Sequence, residues 1–280
     1  MKIPKLFRGL FMMLIVLAMG SCSLERDLSK TFLEKRENIS ILLSKPDFVF
    51  KTNSNSRNIE NFDKMSNSRQ EQALIENSLF LKQIDDSIFL EKYFTALIAG
   101  LNSFGINVFE MDQLTSFMDQ TGTLYQVSVA QIEIEEDIFP YHVEETFDDT
   151  VVYFEDFELN LVNINNWYEI HKLNDAQAVN TLLYASHYVM DQIEGQFAEN
   201  IFTGEIKYKY NLFPIDTTSI YEFAGMLGEK YAGYIFDYLI NEYVFRNFPE
   251  NQRPGVYMHF DPNYNTLTPA GNDRFIFMEE

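Results

Sequence analysis

The sequence has a single cysteine, Cys22, in 280 residues. A chain with one thiol cannot close an internal disulfide, so its stability must come from packing. It also lacks positive charge over a long stretch: between Lys92 and Lys172 there is no Lys or Arg. That stretch still carries fifteen carboxylates, from Glu110 to Glu169. A surface of this kind repels nucleic acid and anionic lipid head groups. No apolar run reaches the roughly 20 residues that a spanning helix needs. The sequence contains no G-x-S-x-G elbow, no phosphate-binding glycine loop, no dinucleotide fingerprint and no D-x-[DN]-x-[DN]-G calcium loop. Neither a cofactor nor a metal is expected from it.

What is present is a globular composition, 46% hydrophobic and 15% aromatic, which excludes an extended disordered chain. The whole chain carries 21 basic and 42 acidic residues, a net charge of −21.

Residues 1–22 read in three parts. Lys2, Lys5 and Arg8 form a positive start, Leu10–Ala18 is a short apolar run, and Met19-Gly20-Ser21-Cys22 follows. This is the order of a secretory leader. The segment resembles the lipobox of bacterial lipoproteins, in which a small residue precedes a cysteine that receives a diacylglyceryl group. Met19 stands where that family usually has Leu. The resemblance covers about 22 residues and implies cleavage between Ser21 and Cys22, with lipid on Cys22 and two or more acyl chains for stable anchoring. Ser23 follows the cysteine, where an Asp would argue for retention at the inner membrane. The resemblance therefore favours an outer-membrane address. Loss of residues 1–21 removes three basic groups and no acid, which leaves a body near −24.

Four segments are expected: a cleaved leader at 1–21, an anchor with a short polar tether at 22–38, a sheet-containing domain with an acidic face at 39–172, and a helical and short-strand part at 173–280 packed on the same body. The fold class is α+β, a single globular body with a mostly antiparallel sheet and three long helices. The first helix starts at Asp86-Ser87, carries Leu90, Phe94, Leu97, Leu101 and Phe104 on one face, and stops at Gly105. The second runs from Asn174-Asp175 to about Phe197, and the third from Asp216 or Thr217 to about Phe245. Residues 52–70, rich in Asn and Ser, read as a loop. Leu124–Glu135 and Val151–Val162 alternate as two antiparallel strands joined by an acidic loop at 136–150. The apolar parity of the first strand changes midway, which predicts a bulge near Ala130.

The densest carboxylates, Glu133, Glu135, Glu136, Asp137, Glu144, Glu145, Asp148 and Asp149, form a candidate acidic docking face, with a solvated surface as the plainer explanation. Other candidates are weaker. His187 and Asp191 would share a helix face as a metal pair. His259 and Asp261 would point the same way on an extended segment, although Asp261-Pro262 is chiefly a turn signal. His142 lies among carboxylates that favour its charged form. Ala224, Gly228 and Ala232 line one side of the third helix and suggest tight packing against the sheet.

These features favour a non-enzymatic envelope lipoprotein that presents its acidic face to a protein partner. A glycan- or peptide-binding lipoprotein, with Trp167 and tyrosines as platform, is the alternative. An envelope hydrolase with an unrecognised site is the third.

Overall fold

The computed structural model describes residues 24–57, 59–175, 180–249, 252–270 and 274–278. Ser21 and Cys22, with the whole leader, lie outside the described residues.

The fold is a mixed α/β body in two layers. Its main sheet contains β1 (Ile39–Ser44), β2 (Phe50–Asn53), β3 (Asn107–Glu110), β4 (Thr123–Phe147), β5 (Thr150–Lys172), β6 (Thr181–Met190) and β11 (Ile276–Phe277). The order is β11-β6-β5-β4-β1-β3, and β2 joins β4 further along. The sheet is not mostly antiparallel in the way expected. β1 runs parallel to both β3 and β4, and β2 runs parallel to β4. The pairs β4–β5, β5–β6 and β6–β11 are antiparallel. Parallel pairs require crossovers, and helices supply them.

Two long helices cover one face, where three were expected. Helix α3 (Asp86–Ser103) is capped by Asp85, whose carboxylate accepts from Ser87 N at 2.8 Å and Ile88 N at 3.3 Å. It ends before Gly105, which has φ +85°. Helix α5 (Thr217–Asn247) is capped by Asp216, which accepts from Ser219 N at 2.7 Å. The expected helix over 174–197 is instead β6 followed by β7 (Gln192–Glu199). Its apolar residues satisfy a helical stripe, yet Leu183 and Ala185 alternate into the core beside β5. The open edge of β5 offers a full ladder of backbone partners, and that outweighs the local pattern.

The smaller elements are α2 (Asn67–Glu76), α4 (Leu114–Met118), and two hairpins, β7 with β8 (Ile206–Phe213) and β9 (Tyr257–Asp261) with β10 (Thr266–Ala270). α2 occupies part of the expected 52–70 loop. Residues 24–35 form α1, not a tether. Phe32 is buried against Phe236 and Tyr243 of α5, and the buried Glu25 accepts from Gly255 N at 2.6 Å and Val256 N at 3.2 Å.

One core joins both halves of the chain, from Phe32 to Phe275. Along β4, Tyr125, Val127 and Val129 face the helices, the register shifts at Ala130, and Ile132 and Ile134 face the same way. The bulge sits where the parity change placed it. The small residues of α5 pack on α3, not on the sheet. A Cβ at Gly228 would lie 2.1 Å from Tyr93 O, and one at Gly100 would lie 2.6 Å from Ala232 Cβ.

Between α3, α5 and the sheet lies a buried polar cluster. Tyr93 Oη meets Tyr168 Oη, and Asn166 Nδ2 donates to Tyr231 Oη at 3.3 Å. Tyr231 Oη lies 2.9 Å from His187 Nδ1. Burial raises the hydroxyl pKa of all three tyrosines, which keeps them protonated.

Among the described residues, no helix is long and apolar enough to cross a membrane.

Candidate functional site

The acidic segment is not a loop. β2 leaves β4 at Asn53 opposite Glu136, and β6 leaves β5 at Met190 opposite Leu161. Past those rows β4 and β5 continue together as a two-stranded ribbon to a turn at Asp148-Asp149. Both turn residues have positive φ, 49° and 59°. That is the two-residue hairpin geometry whose twist matches the flanking strands, and Asp tolerates it. At about 3.3 Å per residue the ribbon stands roughly 33 Å off the body.

An isolated two-stranded ribbon is marginal in water. This one is backed by the β7–β8 hairpin. Tyr153, Phe157 and Leu159 share the face of β5 that is opposite, by alternation, to the Val162–Ile164 face on the helices. Phe157 packs on Tyr210 at 4.8 Å and Tyr208 at 5.6 Å between ring centres, and Tyr153 on Phe197 at 6.2 Å. The result is an arm of two ribbons with an aromatic seam.

Two buried carboxylates fasten the root of the arm. Asp191, between β6 and β7, accepts from Asn160 N, Asn160 Nδ2 and Ile215 N at 2.9, 2.7 and 2.8 Å. Glu136 accepts from Leu79 N, Phe80 N and Leu81 N at 2.7, 2.9 and 3.4 Å.

The eight acidic residues singled out in the sequence therefore divide. Glu133, Glu135, Glu136 and Asp137 lie at the root. Glu133 is engaged by Thr52 and Asn165, Glu135 by Ser54, and Asp137 by the Ile138 N–H. Glu136 is not a docking residue, because its carboxylate is buried and spent on three backbone donors. Glu144, Glu145, Asp148 and Asp149 are exposed along the free arm, as are Glu155, Asp156 and Glu158. Arg57 reaches Glu158 from outside the arm. His142 Nδ1 lies 2.6 Å from Asp156 and its Nε2 3.6 Å from Glu144. The hydrogen bond to Asp156, then the charges of Asp156 and Glu144, raise its pKa above 6.5, against a smaller opposing effect of desolvation.

The free end is also apolar. Phe147 is 75% exposed and Phe154 62%, while Ile201 and Phe202 at the β7–β8 turn are 92% and 99% exposed. Phe197 beside Tyr153 sets the two turns at the same height. Large apolar side chains exposed at one end of an element mark an interaction surface more often than an accident.

The other sequence candidates are not brought together. His187 and Asp191 sit on and just past a strand, and Asp191 is consumed at the arm root. His259 turns to Asp237 of α5 at 2.7 Å, a partner 22 residues away, while Asp261 accepts from Asn263 N at 2.9 Å in its turn. Trp167 packs across the strands on Tyr184 at 5.1 Å. No group of three or more His, Cys, Asp or Glu able to hold a metal occurs among the described residues.

Sequence reading missed a hollow of about 1670 Å³ at the opposite end of the sheet, because its lining comes from α1, β4, β5, α5 and the segment before β9. There Tyr125 Oη donates to Glu242 at 2.7 Å, and Arg246 binds Glu242 at 2.8 Å and also Asp175. Burial, then the charge of Glu242, raises the Tyr125 pKa. Arg246 is thus neutralised by neighbouring acids, and the tyrosine stays protonated, which suits packing more than catalysis.

No family model matches the chain, and no curated protein matches it. A solved structure from Helicobacter pylori, described as a homolog of a neuraminyllactose-binding hemagglutinin, is similar over 74% of this chain and 89% of that one, at 8% identity and a TM-score of 0.30. A likeness at that level is too distant to transfer a fold, a ligand or a role.

Proposed function

We propose that this chain is a bacterial envelope lipoprotein, cut before Cys22 and held on the outer membrane by lipid on that cysteine. Its body serves as a non-enzymatic docking or assembly subunit that engages a protein partner through the acidic arm. The observation that carries the reading is the arm itself. It is a ribbon from Phe139 to Glu158 with seven carboxylates, no Lys or Arg, and apolar side chains at its free end. Steering by one sign of charge speeds encounter with the opposite sign, and apolar anchors then hold the complex.

Helix α1, which follows the proposed anchor in the sequence, and the arm root lie toward opposite ends of α5. The arm root binds Ile215 N just before that helix, whereas α1 packs through Phe32 on Phe236 and Tyr243 near its far end. A chain lipidated at Cys22 would present the arm away from its own membrane.

Zero-length carbodiimide coupling in intact cells tests this. The reagent joins carboxylates to lysines; residues 139–158 have none, so links within the arm can run only to Lys207 and Lys209 of β8. Peptides from residues 139–158 should be joined to lysines of one envelope protein, and the joining should vanish in Cys22→Ala. Labelling with radioactive palmitate should likewise be lost in that variant. A wild-type chain that takes no lipid, or arm peptides joined to nothing, sinks the reading.

A further inference from the structure

We infer that the apolar tip of the arm, Phe147 with Ile201 and Phe202, is a plug for an apolar pocket framed by cationic groups on a partner protein. This deepens the docking reading above and rests on it. Three other occupants of such a tip fit the chemistry poorly. A second copy of this chain would set one net-negative arm against another, since residues 139–158 carry seven carboxylates and no Lys or Arg, and the β7–β8 hairpin adds Glu194, Glu199 and Glu205 against Lys207 and Lys209. An anionic bilayer is repelled by the same groups. A zwitterionic bilayer would have to accept the carboxylates of Asp148 and Asp149, which occupy the turn beside Phe147 and would be drawn into the interface with it. A cationic protein surface satisfies both requirements, because its charges pair with the carboxylate collar while its pocket takes the rings.

The Tyr153–Phe197 contact brings both turns to the same end of the arm. The β4–β5 turn supplies Phe147, 75% exposed, and the β7–β8 turn supplies Ile201 and Phe202, 92% and 99% exposed. Within the β7–β8 ribbon, Gly195 leaves room for the partner strand, since a Cβ there would lie 2.6 Å from both Lys209 O and the Tyr208 ring. Neither turn's apolar residues support the arm's own seam, which is made by Tyr153, Phe157, Phe197, Tyr208 and Tyr210. They are therefore free to be given to a partner without loss of the arm.

The test is site-specific photocross-linking of the membrane-anchored chain in its own cells, with p-benzoylphenylalanine at Phe202, at Glu144 on the flank of the arm, or at exposed Met226 of α5. The expected result is one protein adduct from Phe202, shared with Glu144 and absent from Met226. For the purified pair, Ile201→Ala with Phe202→Ala should speed dissociation about tenfold or more, as loss of buried anchors does. Raising salt from 20 to 500 mM should slow association by about tenfold. The melting midpoint of the variant should match the wild type, which separates lost contact from lost fold. Adducts from Glu144 alone overturn the plug and leave the arm reading standing. Lipid adducts or self-adducts from Phe202 overturn it in favour of a bilayer or a second copy. Salt-insensitive association overturns the cationic frame, and no adduct from either arm site overturns both readings.

Discussion

Asp191 takes two hydrogen bonds from one residue: Asn160 offers its backbone N–H at 2.9 Å and its Nδ2 at 2.7 Å to the same carboxylate oxygen. The other oxygen receives Ile215 N at 2.8 Å. One buried acid thereby joins the strand that enters the arm, the strand that leaves the sheet and the approach to α5. Asp191→Ala strands three donors, Ile215 N in a buried position and the two of Asn160 in half-buried ones. A loss of about 3–5 kcal/mol is expected from urea unfolding. Hydrogen exchange should quicken first in β7 and β8, whose packing depends on that joint.

Acids of the same segment should behave in two ways. Glu136→Ala removes the acceptor for Leu79, Phe80 and Leu81 N–H and should cost about 2–4 kcal/mol. Glu144→Ala and Glu145→Ala touch exposed groups and should stay within about 0.5 kcal/mol of wild type in the same unfolding measurement.

The glycines of α5 offer a matched pair. Gly228→Ala places a methyl 2.1 Å from Tyr93 O and 3.0 Å from Leu97 N, both backbone atoms, so α3 and α5 must separate. A loss of about 2–3 kcal/mol is expected. Gly225→Ala meets nothing within 4 Å and should gain about 0.5–1 kcal/mol from helix propensity. Thermal melting of the two variants beside wild type measures both.

His187 provides a pH test. Asn166 donates to Tyr231 Oη, so the Tyr231 hydroxyl gives its own proton to His187 Nδ1, which needs a neutral imidazole. Burial, then nearby Lys230, lowers the His187 pKa below 6.5. The unfolded chain therefore takes up this proton before the folded one. The stabilising contribution is present above pH 6.5 and is lost as pH falls through the lowered value. His187→Gln should flatten the dependence of melting temperature on pH just below 6.5, and an equal slope in both proteins would refute the assignment.

Local signals were legible where one element decides its own state. The spacing of Phe94, Leu97 and Leu101 and the stop at Gly105 place α3 to within a residue or two. The parity change across Ala130 marks the bulge. The reading failed where a distant partner decides. Residues 181–199 carry a helical stripe and take strand form because β5 offers an open edge to β6 and β8 pairs with β7. Tyr184, Tyr188 and Val189, with Gly195 inside the supposed helix, were the signals against a helix. Of the candidate site, the carboxylate-only stretch was visible, but not that it is a ribbon. Asp148-Asp149 lacks the glycine that usually announces a two-residue hairpin turn. The clasp at Asp191 and the pairing of His259 with Asp237 join segments far apart in the chain, so no local pattern shows them.

The described part of helix α1 starts at Leu24, two positions after Cys22 in the sequence, and is locked to the body by Glu25 and Phe32. A protein lipidated at Cys22 would have a leash of two residues at most. It would stand on the bilayer as a rigid post whose height is set by β4, 25 residues or roughly 80 Å from Thr123 to Phe147. Such a post measures distance: it meets only what lies at its own height, and lengthening the joint ahead of Leu24 would change which structures it can touch without altering any contact it makes.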